Sequence, residues 1–258
     1  MISGKRVIAA MLTALMAVTF TANTAVSVYA TGVTATENAQ TIDAQSTDAQ
    51  ALTPEEQKAQ ELQQVYDMPV ESNGYKDWPQ GPGTYGEAGI VMEVGTGAIL
   101  YAKNIDAHEY PASITKVLTA LVALENGQLT DNVTFSHDSV AFLQRGDSSV
   151  GLKEGNVITL DQAMHAMLLA SANEAAYAIG ESVGVNAGHD YNWFIEQMNS
   201  RCKELGGENS NFANTNGLHD PNHYTCARDM ALIGRELFKH PEFFQIVQTL
   251  NYTIPASE

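Results

Sequence analysis

The segment Tyr110-Pro111-Ala112-Ser113-Ile114-Thr115-Lys116, which is followed by the apolar run 117–124, decides how this sequence is interpreted. It predicts a buried helix on which Ser113 and Lys116, three positions apart, share one face, so that their side chains can meet. Serine is a weak nucleophile unless a base takes its proton, and lysine can be that base only if burial lowers its pKa. The apolar run predicts such burial. The alternative is a serine that caps the helix and a lysine whose ammonium group reaches solvent.

A second candidate element is Ser171-Ala172-Asn173. It lies between the apolar stretch 164–170 and a predicted helix of small residues, 174–180. A hydroxyl and an amide at such a place need hydrogen-bond partners, because buried polar groups are costly without them. They can relay a proton near Ser113 or hold a carbonyl group, but serine and asparagine are also common helix caps.

Hydrophobic periodicity and turn residues predict that helices and short strands alternate along the chain. A capping-box pattern at Thr53 predicts a polar helix to about Val65, and the compact domain is expected to begin near Gly86. Two strands joined by a turn at 95–97 form a predicted hairpin. Residues 133–136, 150–152 and 157–159 are predicted to be short strands or extended loop, and 249–254 to begin a strand. The predicted helices are 111–126, 160–169, 174–183, 190–205, 226–238 and 241–247.

The amino terminus has the pattern of an export signal. Lys5 and Arg6 precede the uncharged apolar run 7–20, and small residues follow at 28–30, so residues 1–30 are predicted to be a signal peptide and the protein to be secreted. Residues 31–85 are predicted to be a disordered linker with one short polar helix. Without residues 1–30, 11 cationic side chains remain against 30 acidic ones, a net charge near −19. Such a charge argues against nucleic acid and against docking on anionic lipid.

Cysteine and histidine positions give no metal pattern. Cys202 and Cys226 permit one disulfide in an exported protein, but two cysteines are no disulfide framework, and their pairing stays open. His219, Asp220 and His223 lie in a predicted loop without an HExxH pattern, and we expect them to be solvated polar groups. We therefore expect no metal and no cofactor.

Several segments together resemble one family. Residues 89–97 resemble the first hairpin of the serine D-alanyl-D-alanine carboxypeptidases, the low-molecular-mass penicillin-binding proteins, and residues 110–116 resemble their nucleophile segment. Residues 168–176 resemble the second motif, and 216–220 and 227–233 resemble later signatures. The resemblance covers about residues 86–258. It implies an α/β (α+β) fold of the DD-peptidase/β-lactamase type, in which a helical cluster packs against an antiparallel sheet that is incomplete in this chain.

The resemblance also implies a role for each candidate residue. Ser113 would form an acyl-enzyme with a peptidoglycan stem peptide, Lys116 would take the Ser113 proton, and Ser171 would pass it to the departing D-alanine. Asn173 would hold the peptide. The Ser113 amide would form half of an oxyanion hole. β-Lactams would acylate the same serine, outside the cytoplasm.

One family element, Lys-Thr-Gly, occurs nowhere in this sequence. We therefore expect the chain to be truncated before that motif, with any membrane anchor also missing. This leaves two alternatives: an inactive relative that only binds wall peptide or a partner, and a class A-like β-lactamase. The second would need a deacylating glutamate after the second motif, for which Glu204 and Glu208 are poor candidates.

Overall fold

The computed structural model describes residues 52–71, 79 and 81–255. The predicted signal peptide, 1–30, and residues 31–51 of the predicted linker lie outside the described residues. None of the helices in the described ranges is long and apolar enough to cross a bilayer.

The described elements alternate helices with short strands, as the sequence predicts. Their bounds are, in chain order, α1 Pro54–Tyr66, β1 Gly89–Met92, β2 Ile99–Lys103, α2 Thr115–Asn126, β3 Asn132–Thr134, α3 His137–Ala141, β4 Val157–Thr159, α4 Leu160–Ala170, α5 Asn173–Asn186, α6 Tyr191–Glu204, α7 Ala227–Leu237 and α8 Pro241–Val247. A single 3₁₀ turn, Ala112–Ile114, leads into α2.

The strands form two antiparallel pairs within the described part of the chain. β1 pairs with β2, with a register shift between Val91 and Met92, and β3 pairs with β4. Helix α7 packs on β1, and α2 packs against α4, α5, α6 and α7. The mixed α/β class predicted from the sequence is confirmed.

Helix α2 lies at the centre of the hydrophobic core. Leu118, Leu121 and Val122 are fully buried, and they pack with side chains from the four helices around α2. Burial of each such side chain stabilises the fold by about 1.5–3 kcal/mol. Because α2 is enclosed on most sides, whatever its first turn carries is held at a fixed place.

Local signals explain where the neighbouring helices begin. Thr159 caps α4 in a reciprocal capping box with Gln162, and Thr53 does the same for α1 with Glu56. The predicted polar helix is thus present, and all of α1 is solvent-accessible. It is tied to the domain at its end by the buried Lys103, whose Nζ donates to the carbonyls of Val65 and Thr84.

The structure decides one open alternative, contradicts one expectation and adds one helix. Residues 150–152 form no strand, because the amides of Val150 and Gly151 donate to a carboxylate instead of a neighbouring strand. Residues 249–254 form no strand either; Tyr252 stacks on His165 at 3.7 Å between ring centroids and donates to Asp161. The short helix α3, capped by a serine side chain at its amino terminus, was not predicted.

Candidate active site

The 3₁₀ turn and the first turn of α2 that follows it carry the two members of the Ser-x-x-Lys pair. Ser113 lies in the 3₁₀ turn and is exposed, whereas Lys116 lies beneath it with only 3% of its surface exposed. Lys116 Nζ is 3.2 Å from Ser113 Oγ. The shared helical face predicted from the spacing therefore brings the two groups into hydrogen-bond contact.

The backbone before Ser113 has an unusual conformation that a glycine makes possible. Ala112 has φ +47°, in the left-handed region that residues other than glycine rarely adopt. Its carbonyl oxygen lies against Gly217: a Cβ added at Gly217 would sit 1.8 Å from that oxygen. Gly217 also has φ +85° and donates its N–H to Asn214 Oδ1. Only glycine fits here, and it lets the segment 214–217 support the turn that holds Ser113.

The Lys116 amine is surrounded by three oxygen acceptors. Besides Ser113 Oγ, Nζ lies 2.7 Å from Asn173 Oδ1 and 2.7 Å from the carbonyl oxygen of Asn216. An ammonium group donates one hydrogen to each acceptor. A neutral amine keeps two hydrogens for the two closer acceptors and directs its lone pair at Ser113 Oγ, the farthest of the three. The geometry therefore suits a base for the Ser113 hydroxyl proton.

Burial also prepares Lys116 for that role. Loss of hydration lowers the pKa of its ammonium group to about 8, and the negative charge of Glu174 opposes this with a smaller rise. At neutral pH about a tenth of the molecules then carry a neutral amine, compared with under about a thousandth for an ordinary lysine. The apolar run after Lys116 had indicated this burial.

Ser171 completes the contact around Ser113. Its Oγ donates to Ser113 Oγ across 3.0 Å. Ser171 is the residue that ends α4, and its φ of +57° turns the chain so that α5 begins two residues later. Asn173 is the first residue of α5 and is 4% exposed. The structure thus brings all four predicted residues, Ser113, Lys116, Ser171 and Asn173, together at one place.

A buried histidine braces the same turn, contrary to expectation. His223 was expected to be a solvated loop residue, but it is 1% exposed because the loop folds inward against α2. The Ala213 N–H donates to His223 Nδ1, so Nε2 carries the hydrogen and donates to Thr115 Oγ1 at 2.7 Å. Burial lowers the pKa of His223 to about 4, which keeps the ring neutral.

Both cysteines of the chain are free. Cys202 and Cys226 are buried as thiols, and the disulfide that the sequence permits is not formed. Within residues 52–71, 79 and 81–255, no group of three or more histidine, cysteine or acidic side chains is arranged to hold a metal ion.

Sequence reasoning missed two contributors to the site. The Asn216 carbonyl was not predicted because a backbone acceptor leaves no side-chain signal. Glu174 was not singled out, although a carboxylic acid directly after Asn173 in an otherwise apolar helix start was a usable signal.

Comparison with known proteins identifies relatives of the chain. Residues 79–256 match the D-alanyl-D-alanine carboxypeptidase family. The D-alanyl-D-alanine carboxypeptidase DacA of Haemophilus influenzae is 34% identical over 170 residues, which cover 64% of this chain and 42% of that protein. DacF of Bacillus subtilis is 32% identical over 168 residues, 63% of this chain and 41% of that protein. The chain therefore spans less than half the length of these two curated relatives.

Solved structures agree with the sequence comparison. A D-alanyl-D-alanine carboxypeptidase from Mycobacterium tuberculosis has a TM-score of 0.61 and 27% identity, with 73% of this chain and 68% of that chain covered. A DD-transpeptidase from Streptomyces has a TM-score of 0.58 and 29% identity, with 63% and 64% covered. The family match covers more than half of the chain, and residues 79–256 include Ser113, Lys116, Ser171 and Asn173. The chain belongs to the D-alanyl-D-alanine carboxypeptidase family.

Proposed function

We propose that the protein is a serine D-Ala-D-Ala carboxypeptidase that trims peptidoglycan stem peptides through an acyl-enzyme on Ser113. The observation that carries the proposal is the contact of the exposed Ser113 Oγ with the buried Lys116 amine at 3.2 Å and with Ser171 Oγ at 3.0 Å. A solvent-facing hydroxyl with a lowered-pKa amine beneath it is the arrangement that acyl transfer requires.

Acylation begins with proton transfer. The neutral Lys116 amine takes the Ser113 proton as Ser113 Oγ bonds to the carbonyl carbon of the penultimate D-alanine. Negative charge moves to the carbonyl oxygen, and the Ser113 amide is one donor that stabilises it. The C–N bond then breaks, and the leaving D-alanine nitrogen receives a proton from Lys116 by way of Ser171 Oγ. Water later attacks the ester, which releases the shortened peptide and restores the Ser113 hydroxyl.

Asn173 has two tasks in this proposal. Its Oδ1 accepts from Lys116 Nζ at 2.7 Å, which fixes the direction of the amine. This leaves the amide nitrogen, Nδ2, to donate to a backbone carbonyl of the stem peptide. Holding both reactants from one side chain reduces the freedom that acylation must remove.

The same chemistry predicts acylation by β-lactams, since their strained amide presents an equivalent carbonyl carbon to Ser113. We propose that the protein acts outside the cytoplasm, on the wall side of the membrane. The amino-terminal pattern of residues 1–30 supports this location.

The test is release of D-alanine from a peptide ending in D-Ala-D-Ala, with the complete natural protein. Ser113→Ala is expected to abolish release, because Ser113 Oγ is the one hydroxyl among the described residues that is hydrogen-bonded to Lys116 Nζ. Ser136→Ala is the matched control: Ser136 caps α3 and donates to Glu181, away from Lys116. Release by Ser113→Ala at the wild-type rate would refute the proposal, as would a wild-type protein that releases nothing.

A further inference from the structure

Glu174 is a buried carboxylate that the proposed mechanism does not use. It has no exposed surface. Its Oε1 accepts three hydrogen bonds, from Ser149 Oγ at 2.7 Å, from the Val150 N–H at 2.8 Å and from the Gly151 N–H at 3.1 Å. Its Oε2 has no hydrogen-bond partner among the described residues. A buried carboxylate with one orphaned oxygen is costly, which calls for an explanation.

The position of Glu174 connects it to the active site. It is the second residue of α5, where the helix dipole favours negative charge, and it follows Asn173 directly. The Asn173 N–H donates to the carbonyl of Ser148 at 2.9 Å. Residues 148–151, which we call the 148–151 segment, are therefore tied to the start of α5 by both Asn173 and Glu174.

The 148–151 segment depends on these ties. Residues 150–152 were expected to be a short strand or extended loop, and the amides of Val150 and Gly151 make no strand pairing and donate to Glu174. Gly151 has φ +81° with open space around it, and Val150 is exposed, so packing does little to hold the segment. The Glu174 carboxylate is thus its main anchor.

We propose, on the basis of the proposed function, that Glu174 is a positioning residue for acylation: it holds the 148–151 segment against the start of α5 and thereby fixes Asn173 and the Lys116 amine. Without the carboxylate, Ser149 Oγ and the Val150 N–H lose their acceptor, the Gly151 N–H keeps only Ser149 Oγ, and the segment is released. The Ser148 carbonyl then no longer holds the Asn173 N–H. Asn173 Oδ1 is then no longer held 2.7 Å from Lys116 Nζ, so the lone pair of the amine is no longer directed at Ser113 Oγ.

Three variants of the complete protein separate positioning from plain stability. Glu174→Ala removes the acceptor. Glu174→Gln keeps an Oε1 that can accept the same three bonds, so it should restore the function of the side chain. Asp229→Ala is the matched control, because Asp229 is also buried, also has one unpartnered oxygen, and also anchors a loop, through Asn209 and Ser210.

The measurement is stopped-flow acylation by a fluorescent penicillin, which separates non-covalent binding from the chemical step, at a temperature where each variant is folded. We expect Glu174→Ala to slow the chemical step by about 10- to 100-fold with little change in binding, because small misplacements of reacting groups have effects of this size. Glu174→Gln should stay within about threefold of the wild type and Asp229→Ala within about twofold, each measured per folded molecule.

Two results would overturn the inference while leaving the proposed function intact: a chemical step unchanged in Glu174→Ala, or one slowed as much in Asp229→Ala. If Glu174→Ala does not fold, the Ser149→Ala variant tests the inference instead, because it removes one of the three hydrogen bonds to Glu174. A chemical step slowed by about threefold or more supports the inference, and a smaller change or an unchanged rate rejects it. A wild-type protein that is not acylated would instead reject the proposed function.

Discussion

Substitution of Gly217 by alanine should disturb the nucleophile although Gly217 itself has no reacting atom. The new Cβ would lie 1.8 Å from the Ala112 carbonyl oxygen and 3.0 Å from Thr115 Oγ1. Normal contacts are about 3.5 Å, so the two backbone segments must separate by about 1.5 Å or distort. Ala112 directly precedes Ser113, so any such movement shifts Ser113 Oγ relative to Lys116 Nζ.

Gly188→Ala provides the matched control for this prediction. Gly188 has φ +81°, close to the +85° of Gly217, but no atom lies within 4 Å of its added Cβ. Gly188→Ala therefore measures the cost of the backbone conformation alone, about 1 kcal/mol, which is about 2–4 °C in Tm. Gly217→Ala adds the collision and should cost about 3 kcal/mol or more, which is about 6–12 °C.

Thermal unfolding and penicillin acylation would be measured on both variants. We expect Gly217→Ala to slow acylation about 100-fold below its Tm, the size of effect that a 1 Å misplacement produces, while Gly188→Ala keeps the wild-type rate. Equal Tm values and equal acylation rates for the two variants would show that the Gly217–Ala112 contact does not position Ser113.

Three further predictions concern titration and thiols. The acylation rate should rise with pH up to about 8 and then level off, because Lys116 acts as a neutral amine and its pKa is lowered to about 8; a rate that is flat between pH 6 and pH 9 would contradict this. The pKa of His223 is lowered to about 4 in the folded protein, so between pH 6.5 and pH 4 the unfolded chain binds a proton on this residue and the folded protein does not. The free energy of unfolding should therefore fall from pH 6.5 toward pH 4 by up to about 3 kcal/mol. A His223→Gln variant whose Tm has the same pH dependence as the wild type would exclude this origin. Burial raises the thiol pKa to about 11 for Cys202 and about 12 for Cys226. Iodoacetamide at pH 8 should therefore label neither cysteine in the folded protein and both cysteines after unfolding without a reductant. Unfolded protein that stays unlabelled would reveal a disulfide.

The sequence was sufficient for the parts of the site that depend on helical spacing. The three-residue separation of Ser113 and Lys116 predicted their contact, and the apolar run predicted the burial of Lys116. Ser171 and Asn173 were predicted to lie nearby only through the family resemblance. Their contacts with Ser113 and Lys116 depend on how α4 and α5 pack against α2, which no local pattern specifies.

The errors have a common physical origin in side-chain contacts between distant segments. Local composition did not decide between a strand and a loop at 150–152, where the amides of Val150 and Gly151 donate to Glu174, more than twenty residues away. His223 was predicted to be solvated because it lies in a predicted loop without an HExxH pattern, but it bonds to Thr115, 108 residues away. Long-range partners of this kind have no local sequence signal.

The central claim is that Ser113 is the acylated nucleophile, and peptide mapping by mass spectrometry tests it most directly. The complete protein would be incubated with a penicillin, digested and searched for the mass of one penicilloyl group. We expect a single, long-lived adduct on Ser113 that is lost in Ser113→Ala and retained in Ser136→Ala. An adduct on any other residue, or no adduct at all, would contradict it.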